Sequence, residues 1–574
     1  MKFLRRIQTG KLHEYVQEQQ RLSRSCYSRI RPSHSHSTRL TICKVSTSKA
    51  EIQEKKLQNV LGWLVANGAK GVGDPKDTPK ISLFLSNDGE RGVLATRNIS
   101  KGEIIFQVPL KLAVIDEEEG LTEHSMVPWS ARLASKIIAL KAKGESCPWS
   151  AYIESLPECV KNPTSPDFPY SDIQAVAYAN AREDIDFSTW VASSSYSVLS
   201  EQGGLPTGTT YEEFCLYLSI VHSRTFSVAS KERRDGVLRL LMPLVDMLNH
   251  SGDVDTNMSD AMVTDLNIIA TDACRWDVVP KIGGELIFCV SAVRDIIQGE
   301  EITLSYGERS NDDFFIHYGF VPPRNPHDTV CLFDSLEESV TWCLERLSAE
   351  TKEDLSHEFL SHVHESIMAE LDTIDQLANR DTSHLEYVDS KRVLEDMLRI
   401  KLQSKGRVDE RLAKLLEIVY SHISAIANCT AEEFIRNQVA RRCFEILLEM
   451  KRKYDVDLIH DLDTLVSTEI GVDADDVLSH QFSTMKSTYE PALRASMWWN
   501  KLSSVDDSIE DASVSYTQNN DGTASLLSMF EGYNIIDDTC GEEVSMDSHS
   551  GNPLPIIYRT YKQLILWDSL LLSR

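Results

Sequence analysis

The residues best suited to chemistry in this sequence stand where apolar runs end. Asn249 and His250 follow the run LLMPLVDML, and Tyr306 closes the run EEITLSY about fifty-six residues later. A second tyrosine, Tyr318, follows close behind and, like Tyr306, precedes a glycine. The sequence places no phosphate-binding loop, nucleophile elbow or cysteine cluster nearby. An amide, an imidazole and a phenol can bind polar atoms and align reactants by hydrogen bonding.

An Asn-His dipeptide alone is more often a turn with a satisfied core histidine than part of a site. Its neighbours along the chain change that interpretation. The stretch GERGVLATRNISKGE at 89–103 and the tetrapeptide SRTF at 223–226 precede it, and SYGERSN with YGF follows it. Four short signals in one order are much harder to obtain by chance than one.

The elements that would position these residues follow from hydrophobic periodicity. The spacing predicts a helix over 51–69, strands over 81–115, mostly helix from about 120 to 235, and strands again over 239–306. Beyond about 335 the pattern is helical, as in ERLAKLLEIVYSHISAI. We therefore predict an α+β fold in which small antiparallel sheets with a helical insertion precede an all-α C-terminal domain. The predicted units are a basic segment 1–50, a catalytic domain 51–334 with its insert at about 120–235, a helical domain 335–502, and a tail 503–574.

Charge is distributed unevenly along the 574 residues. The formal net charge is -28, yet residues 1–50 carry eleven Lys or Arg against two acids, so the remainder carries about -37. The basic, Ser-rich start has the composition of a transit peptide for a mitochondrion or plastid, and the alternative is a disordered basic arm on a cytoplasmic or nuclear protein. Residues 503–550 read as an acidic linker before the apolar stretch YKQLILWDSLLL, which could form a docking helix.

Composition also excludes several classes of protein. A chain this acidic does not suit general nucleic-acid binding, and no apolar run is long enough to predict a membrane span. The twelve cysteines are scattered, which fits a reducing compartment and gives no reason to predict a structural metal. We expect a monomer that acts on a protein partner.

The sequence resembles the SET-domain methyltransferases, specifically the branch of the RuBisCO large-subunit lysine methyltransferase. The resemblance covers roughly residues 55–330. It rests on RGVLATRNISKGEIIFQVP for the opening strands, AYIESLP for the insert, SRTF and PLVDMLNH for the central motifs, and SYGERSN with YGF for the closing pair. The helical part after about 335 is similar in placement to the substrate-binding domain of that branch.

This resemblance implies a cofactor, S-adenosyl-L-methionine, and a set of residues that bind it. Arg224 would help hold the cofactor carboxylate, and Tyr318 would line the pocket. The turn at residues 89–91 would contact the cofactor through its main chain, with Gly92 beside it. The implied cofactor-binding residues are Gly89, Glu90, Arg91, Arg224, Asp246, Asn249, His250, Tyr306 and Tyr318.

Methyl transfer from a sulfonium to an amine is an in-line displacement, so such a site mainly aligns the reactants and excludes water. A lysine must attack as the neutral amine although its reference pKa is about 10.4, and an apolar channel beside a sulfonium lowers that pKa. By resemblance, the Tyr306 hydroxyl would orient the amine, and the carbonyls of Ser223 and Asp246 would face it.

One residue bears on the choice of substrate. The resemblance implies that an aromatic residue at the position of Phe226 accompanies lysine substrates, whereas histidine-methylating relatives have a polar amide there. We therefore predict a protein-lysine N-methyltransferase. The alternatives are a protein-histidine methyltransferase and a catalytically silent SET-like module that binds proteins. We also expect deletion of everything after about residue 335 to spare cofactor binding but to destroy methylation of an intact protein target.

Overall fold

The fold is taken from a computed structural model. It describes residues 47–73, 79–86, 90–116, 127–233, 236–257, 266–281, 283–350, 357–376, 397–424, 429–467, 476–503 and 552–572. The predicted basic segment 1–50 and the acidic linker 503–550 lie almost wholly outside these residues. All nine cysteines among them are free thiols. Within these ranges, every helix is too short or too polar to cross a membrane.

The N-terminal part begins with a helix, which is followed by a two-stranded antiparallel sheet. Helix α1 (Thr47–Ala66) ends just before Gly68, whose φ of +91° suits glycine. Strands β1 (Ile81–Leu85) and β2 (Arg91–Ala95) pair antiparallel, with Leu85 opposite Arg91. The prediction of strands here is confirmed, because the two runs pair over their whole length, with Ile81 opposite Ala95 at the other end.

The helical insertion is made of five α-helices. It begins at Trp129 and ends at Arg224, and the next residues already form a strand. The predicted insert to about 235 is therefore too long by roughly ten residues, because Thr225–Ala229 pairs with a neighbouring strand. The helices are α2 (Trp129–Ala142), α3 (Ser150–Glu154), α4 (Tyr170–Gln174), α5 (Ala179–Glu201) and α6 (Tyr211–Arg224).

Three more small antiparallel sheets lie among the described residues of the strand-rich part. In the first, β6 pairs with both β4 and β5; in the second, β10 lies between β3 and β9; in the third, β7 pairs with β8. The strands are β3 (Ile104–Pro109), β4 (Val114–Ile115), β5 (Thr225–Ala229), β6 (Val237–Leu241), β7 (Asp253–Asp255), β8 (Ile268–Ala270), β9 (Cys274–Pro280) and β10 (Leu286–Ala292).

After β10 the chain passes through α7 (Asn311–Asp313) and a π-helical turn, Phe314–Tyr318, into the C-terminal region. That region is mostly helical, as predicted, and it also contains short strands that pair in the order β11-β12-β13. Its elements are β11 (Thr329–Phe333), α8 (Leu336–Glu350), α9 (His357–Gln376), β12 (Ile400–Gln403), β13 (Arg407–Val408), α10 (Glu410–Ile423), α11 (Ala431–Tyr454), α12 (Leu458–Ser467), α13 (Asp476–Arg494) and α14 (Met497–Ser503).

The last helix, α15 (Leu554–Leu572), runs through the middle of the C-terminal core. Trp567 and Tyr558 are among its fully buried side chains. Tyr558 stacks on Phe315 of the π-helical turn with ring centroids 4.5 Å apart. The apolar stretch predicted as a docking helix is therefore a core element that contacts both the strand-rich part and the helical region.

Candidate functional site

The Asn249 side chain joins two segments that are far apart in sequence. Its amide nitrogen donates to the Arg91 carbonyl at 2.9 Å and to the Glu301 carboxylate at 2.8 Å. The main-chain carbonyl of Asn249 accepts from the Leu304 main-chain N–H at 3.0 Å. Both amide hydrogens are thereby used, and Asn249 holds the main chain of the predicted cofactor turn in place.

Gly92 packs against the same group. A Cβ atom at Gly92 would come within 2.5 Å of the Glu301 carboxylate and 2.3 Å of the Phe84 ring. The absence of a side chain is thus required by the protein's own packing beneath the turn. Glu90 is exposed, and its carbonyl accepts from the Ser86 amide at 2.8 Å. Gly89, also predicted to contact the cofactor, lies outside the described residues.

His250 is a neutral hydrogen-bond acceptor inside an aromatic cluster. Its Nδ1 accepts from the Tyr306 amide at 3.1 Å, which places the ring proton on Nε2. Burial lowers the pKa of His250 to about 4. The ring lies 4.6 Å from Phe314 and 5.1 Å from Tyr306, measured between centroids. His250 is therefore uncharged at neutral pH.

The Tyr306 hydroxyl donates to the Leu248 carbonyl at 2.9 Å. Burial raises the pKa of this phenol above its ordinary range, so it stays protonated. The Tyr306 ring lies 5.2 Å from that of Tyr318. Arg309 connects the two, because its Nε donates to the Tyr306 carbonyl at 3.0 Å and its guanidinium lies 5.7 Å from the Tyr318 ring centre.

A second polar cluster joins Arg91, Arg224, Asp246 and Tyr152. The Tyr152 hydroxyl donates to the buried Asp246 carboxylate at 2.8 Å. The Arg224 guanidinium lies 3.7 Å from the same carboxylate and donates to the Asp246 carbonyl. The carbonyl that we predicted to face a substrate amine is therefore already in contact with Arg224.

Electrostatics in this cluster favour an added anion. Burial, and then the adjacent Arg224 cation, lower the pKa of Arg91 to about 10. Arg91 donates to the Ser155 carbonyl through Nη1, whereas its Nη2 is buried with no partner among the described residues. Two guanidinium groups thus face one carboxylate, and a buried unpaired donor is costly unless something else pairs with it.

Ser223 and Phe226 lie on either side of the junction between α6 and β5. The Ser223 hydroxyl donates back to the Ser219 carbonyl at 2.9 Å, within helix α6. Phe226 makes edge contacts with Trp276 and Phe288, with ring centroids 5.7 and 5.4 Å away. Phe226, Trp276 and Tyr306 are all partly buried against the same hydrophobic core.

Sequence reasoning missed three residues of this arrangement. Tyr152 lies in the quoted motif AYIESLP, and Glu301 in the run that ends at Tyr306, but neither carried a local signal for its partner. Trp276 lies on β9, in the alternating stretch CRWDVVP. A tryptophan within a predicted strand was the one signal in the sequence that could have indicated a site residue there.

Comparison with known proteins bears on this geometry. Residues 90–307 match the family model of the SET domain. The chain contains a SET domain. The match includes Arg91, Arg224, Asn249, His250 and Tyr306, while Tyr318 follows it in sequence. The predicted fold class, small antiparallel sheets with a helical C-terminal region, is thereby confirmed.

The SET domain has relatives among characterised proteins. The chain is 24% identical over 314 residues to an actin-histidine N-methyltransferase of Drosophila melanogaster, covering 50% of this chain and 54% of the relative. It is 26% identical over 297 residues to the actin-histidine N-methyltransferase of Homo sapiens, covering 48% and 44%. The chain thus spans about half the length of the curated relatives that it matches.

Solved structures that resemble the chain are SET-domain structures. One is the SET domain of LSMT bound to lysine and AdoHcy, with 15% identity, a TM-score of 0.48, and coverage of 76% of this chain and 89% of that one. Another is Rubisco LSMT bound to AdoMet, with 14% identity, a TM-score of 0.45, and coverage of 78% and 91%.

The low pKa of His250 predicts that acid weakens the SET domain. Unfolding returns this pKa from about 4 to the ordinary 6.5, so between those values the unfolded chain binds a proton that the native chain excludes. The contribution is fully present above about pH 6.5 and is lost as the pH falls to about 4, by roughly 3 kcal/mol. Denaturant unfolding at pH 7 and pH 5 measures it.

Two variants test whether His250 causes this pH dependence. His250→Asn should flatten the loss of stability between pH 7 and pH 5, whereas His460→Asn, at an exposed histidine of α12, should leave it unchanged. An equally steep loss in the His250 variant would assign the effect to other groups.

Proposed function

We propose that this protein is an S-adenosyl-L-methionine-dependent protein-lysine N-methyltransferase. The SET domain supports the class of enzyme, and its named relatives are N-methyltransferases. The observation that carries the choice of lysine is the apolar cluster of Phe226 with Trp276 and Phe288, which belongs to the same hydrophobic core as Tyr306.

The residues present fit the proposed cofactor. Arg224 and the buried, unpaired Nη2 of Arg91 offer cations for its carboxylate. The main chain of Arg91, held by Asn249, and the rings of His250 and Tyr318 would bind its remaining surface. When bound, S-adenosyl-L-methionine supplies an electrophilic methyl group on a sulfonium. The neutral His250 adds no charge that would oppose that cation.

The chain's own groups account for the rest of the proposed reaction. The protonated Tyr306 hydroxyl can accept a weak C–H···O contact from the methyl group and orient the attacking amine. The Phe226 cluster excludes water and lowers the pKa of a lysine amine, which favours its neutral, nucleophilic form. The carbonyls of Ser223 and Asp246 are proposed to accept hydrogen bonds from that amine. The Asp246 carbonyl would then accept from both the amine and Arg224.

A cleft of about 970 Å³ is lined in part by Tyr318, and its size supports the proposal of a protein substrate. The lining includes Tyr318 and Thr225 of the strand-rich part. It also includes Lys401 and Gln403 of β12, in the helical region. A segment of a folded protein bound there would touch both parts of the chain. The helical region after 335 is therefore proposed to help dock the substrate, as the resemblance implied.

Histidine methylation is the second candidate, since the relatives named above are actin-histidine N-methyltransferases. The test is to incubate the purified chain with methyl-labelled cofactor and a protein extract, hydrolyse the products and separate the methylated amino acids. Label in N-methyl-lysine supports the proposal, and label in methyl-histidine favours the alternative. Cofactor binding without any transfer would favour a silent protein-binding module.

Phe226→Asn is expected to lower lysine methylation by about tenfold or more, because an amide hydrates and widens the apolar wall. It should raise any histidine methylation, since an amide can hydrogen-bond an imidazole. Phe288→Leu is the matched control, because it trims the same aromatic cluster without adding a polar group. Kinetics on one identified substrate measure both. Equal losses in the two variants would show that only packing matters at this wall.

A further inference from the structure

Lys562 of α15 is a buried cation whose donors are all used. Its side chain is fully buried, and its Nζ donates to Asp312 at 2.8 Å, to Asp328 at 2.7 Å and to the Thr329 carbonyl at 2.6 Å. Tyr558, one helical turn earlier, also donates to Asp312. An ammonium has three donors, so this geometry satisfies it completely.

The two carboxylates hold the start of the helical segment that follows Tyr306. Asp312 is a residue of α7. The Asp328 carboxylate accepts from the main-chain N–H of Asn311, also in α7, at 2.9 Å. The side-chain amide nitrogen of Asn325 donates to the side-chain carbonyl of Asn311 at 2.9 Å and to the main-chain carbonyl of Arg309 at 2.8 Å. Lys562 therefore fixes α7 from a position 250 residues further along the chain.

The segment fixed in this way forms one wall of the proposed cofactor site. Phe314 and Tyr318 follow α7 directly, and the Phe314 ring lies against His250. Tyr318 lies against Tyr306, and Arg309 bonds the Tyr306 main chain. A shift of α7 would thus move aromatic rings that contact both His250 and Tyr306.

Arg559, one turn before Lys562 on the same helix, provides a contrast. It is also buried, and it bonds Asp461 of α12 at 2.9 and 2.5 Å and the Ala175 carbonyl at 2.7 Å. These partners lie outside the 306–320 segment. Arg559 and Lys562 therefore make comparable buried ion pairs on one helix, and Lys562 is the one joined to the wall of the site.

We propose that Lys562 is a positioning residue for the cofactor site, acting through Asp312 and Asp328 on the segment that carries Phe314 and Tyr318. The inference rests on the proposed function, because it assigns that segment to cofactor binding. It makes the docking of α15 a condition for a formed cofactor pocket. An arginine would not replace Lys562, because its planar guanidinium cannot match three acceptors around a single nitrogen.

The experiment compares Lys562→Met with Arg559→Met in the full chain. Both variants leave buried carboxylates unpaired, so both should lower the melting temperature. Lys562→Met should also raise the dissociation constant of S-adenosyl-L-methionine at least tenfold, measured by calorimetry at a temperature where both variants are folded. Arg559→Met should change that constant by less than threefold. In transfer kinetics, the KM for the cofactor should rise in the lysine variant more than kcat falls.

Equal cofactor dissociation constants in the two folded variants would overturn the inference. If Lys562→Met does not fold, Asp312→Asn serves instead, because it keeps the pairing of Lys562 with Asp328. That variant should weaken cofactor binding severalfold, and unchanged binding would overturn the inference as well. A wild-type chain that binds no cofactor would overturn the proposed function too, so the two failures are distinguishable.

Discussion

Tyr306→Phe is expected to lower methyl transfer by roughly a hundredfold or more while changing the cofactor dissociation constant only a few fold. The hydroxyl is partly buried, protonated and bonded to the Leu248 carbonyl, at the end of the run that resembles the closing motif of SET domains. Removing it keeps the ring, and hence the contacts with His250 and Tyr318. The loss should therefore fall on kcat.

Single-turnover kinetics and calorimetry separate the two quantities for Tyr306→Phe. Tyr318→Phe is the matched control, because it removes a hydroxyl from the adjoining ring, which is proposed to line the pocket without touching the reacting atoms. It should change kcat by less than Tyr306→Phe does. Turnover within a factor of three of wild type in the Tyr306 variant would remove that hydroxyl from the reaction.

Local pattern predicted strands such as β6 and β10 around the site. The runs that lead into the site residues are not strands to their ends, however. Strand β6 ends at Leu241, and a 3-10 turn over Val245–Met247 precedes Asn249. Among the described residues, the run that ends at Tyr306 makes only isolated bridges, at Glu301 and Leu304. Asn249, His250 and Tyr306 meet because the Leu304 amide bonds the Asn249 carbonyl. That meeting could be anticipated from the resemblance, since the motifs occur in a fixed order.

The partners of these residues could not be predicted, because each bond joins distant parts of the chain. Tyr152 and Asp246 are 94 residues apart, and Asn249 and Glu301 are 52 apart. Nothing local distinguishes Tyr152 from another buried tyrosine, or Glu301 from an exposed acid. The unpaired Nη2 of Arg91 is likewise a property of the packed structure, and the prediction gave that residue only a main-chain role.

The C-terminal region shows a related limit. Strand β12, with the sequence IKLQ, is too short to stand out between helical patterns. It forms because it pairs with β11, which precedes the helical region in sequence, with Val330 opposite Leu402. Tertiary pairing of this kind overrides weak local preference. The proposed boundary near 334 therefore falls beside a sheet to which both sides contribute.

The docking of α15 changes the expected result of truncation. The sequence led us to expect that a chain ending near 335 would still bind cofactor. In the structure, α15 bonds Asp312 and Asp328 through Lys562 and the Ala175 carbonyl through Arg559, all on the N-terminal side of that boundary. Any truncation that removes α15 leaves these polar groups buried without partners, or exposes the core around them.

We therefore expect that deleting residues 552–574 alone abolishes the cooperative melt and cofactor binding together. Each fully buried large apolar side chain contributes about 1.5 to 3 kcal/mol, and net stability is only about 5 to 15 kcal/mol. The helix buries nine such side chains, so their combined contribution, about 13 to 27 kcal/mol, is as large as the whole net stability or larger. They are Ile556, Tyr558, Tyr561, Leu564, Ile565, Leu566, Trp567, Leu570 and Leu571.

Differential scanning calorimetry and a cofactor titration of the shortened chain measure this loss. The control is the shortened chain supplied with residues 552–574 as a separate peptide, which should restore part of the melt and of the binding if the helix docks as described. The same peptide carrying Lys562→Met should restore the cooperative melt more fully than it restores cofactor binding. Its apolar face is intact, but α7 is no longer held. A shortened chain that melts cooperatively and binds cofactor like the full chain would show that the SET domain folds without α15, which would contradict the role of this helix as a core element.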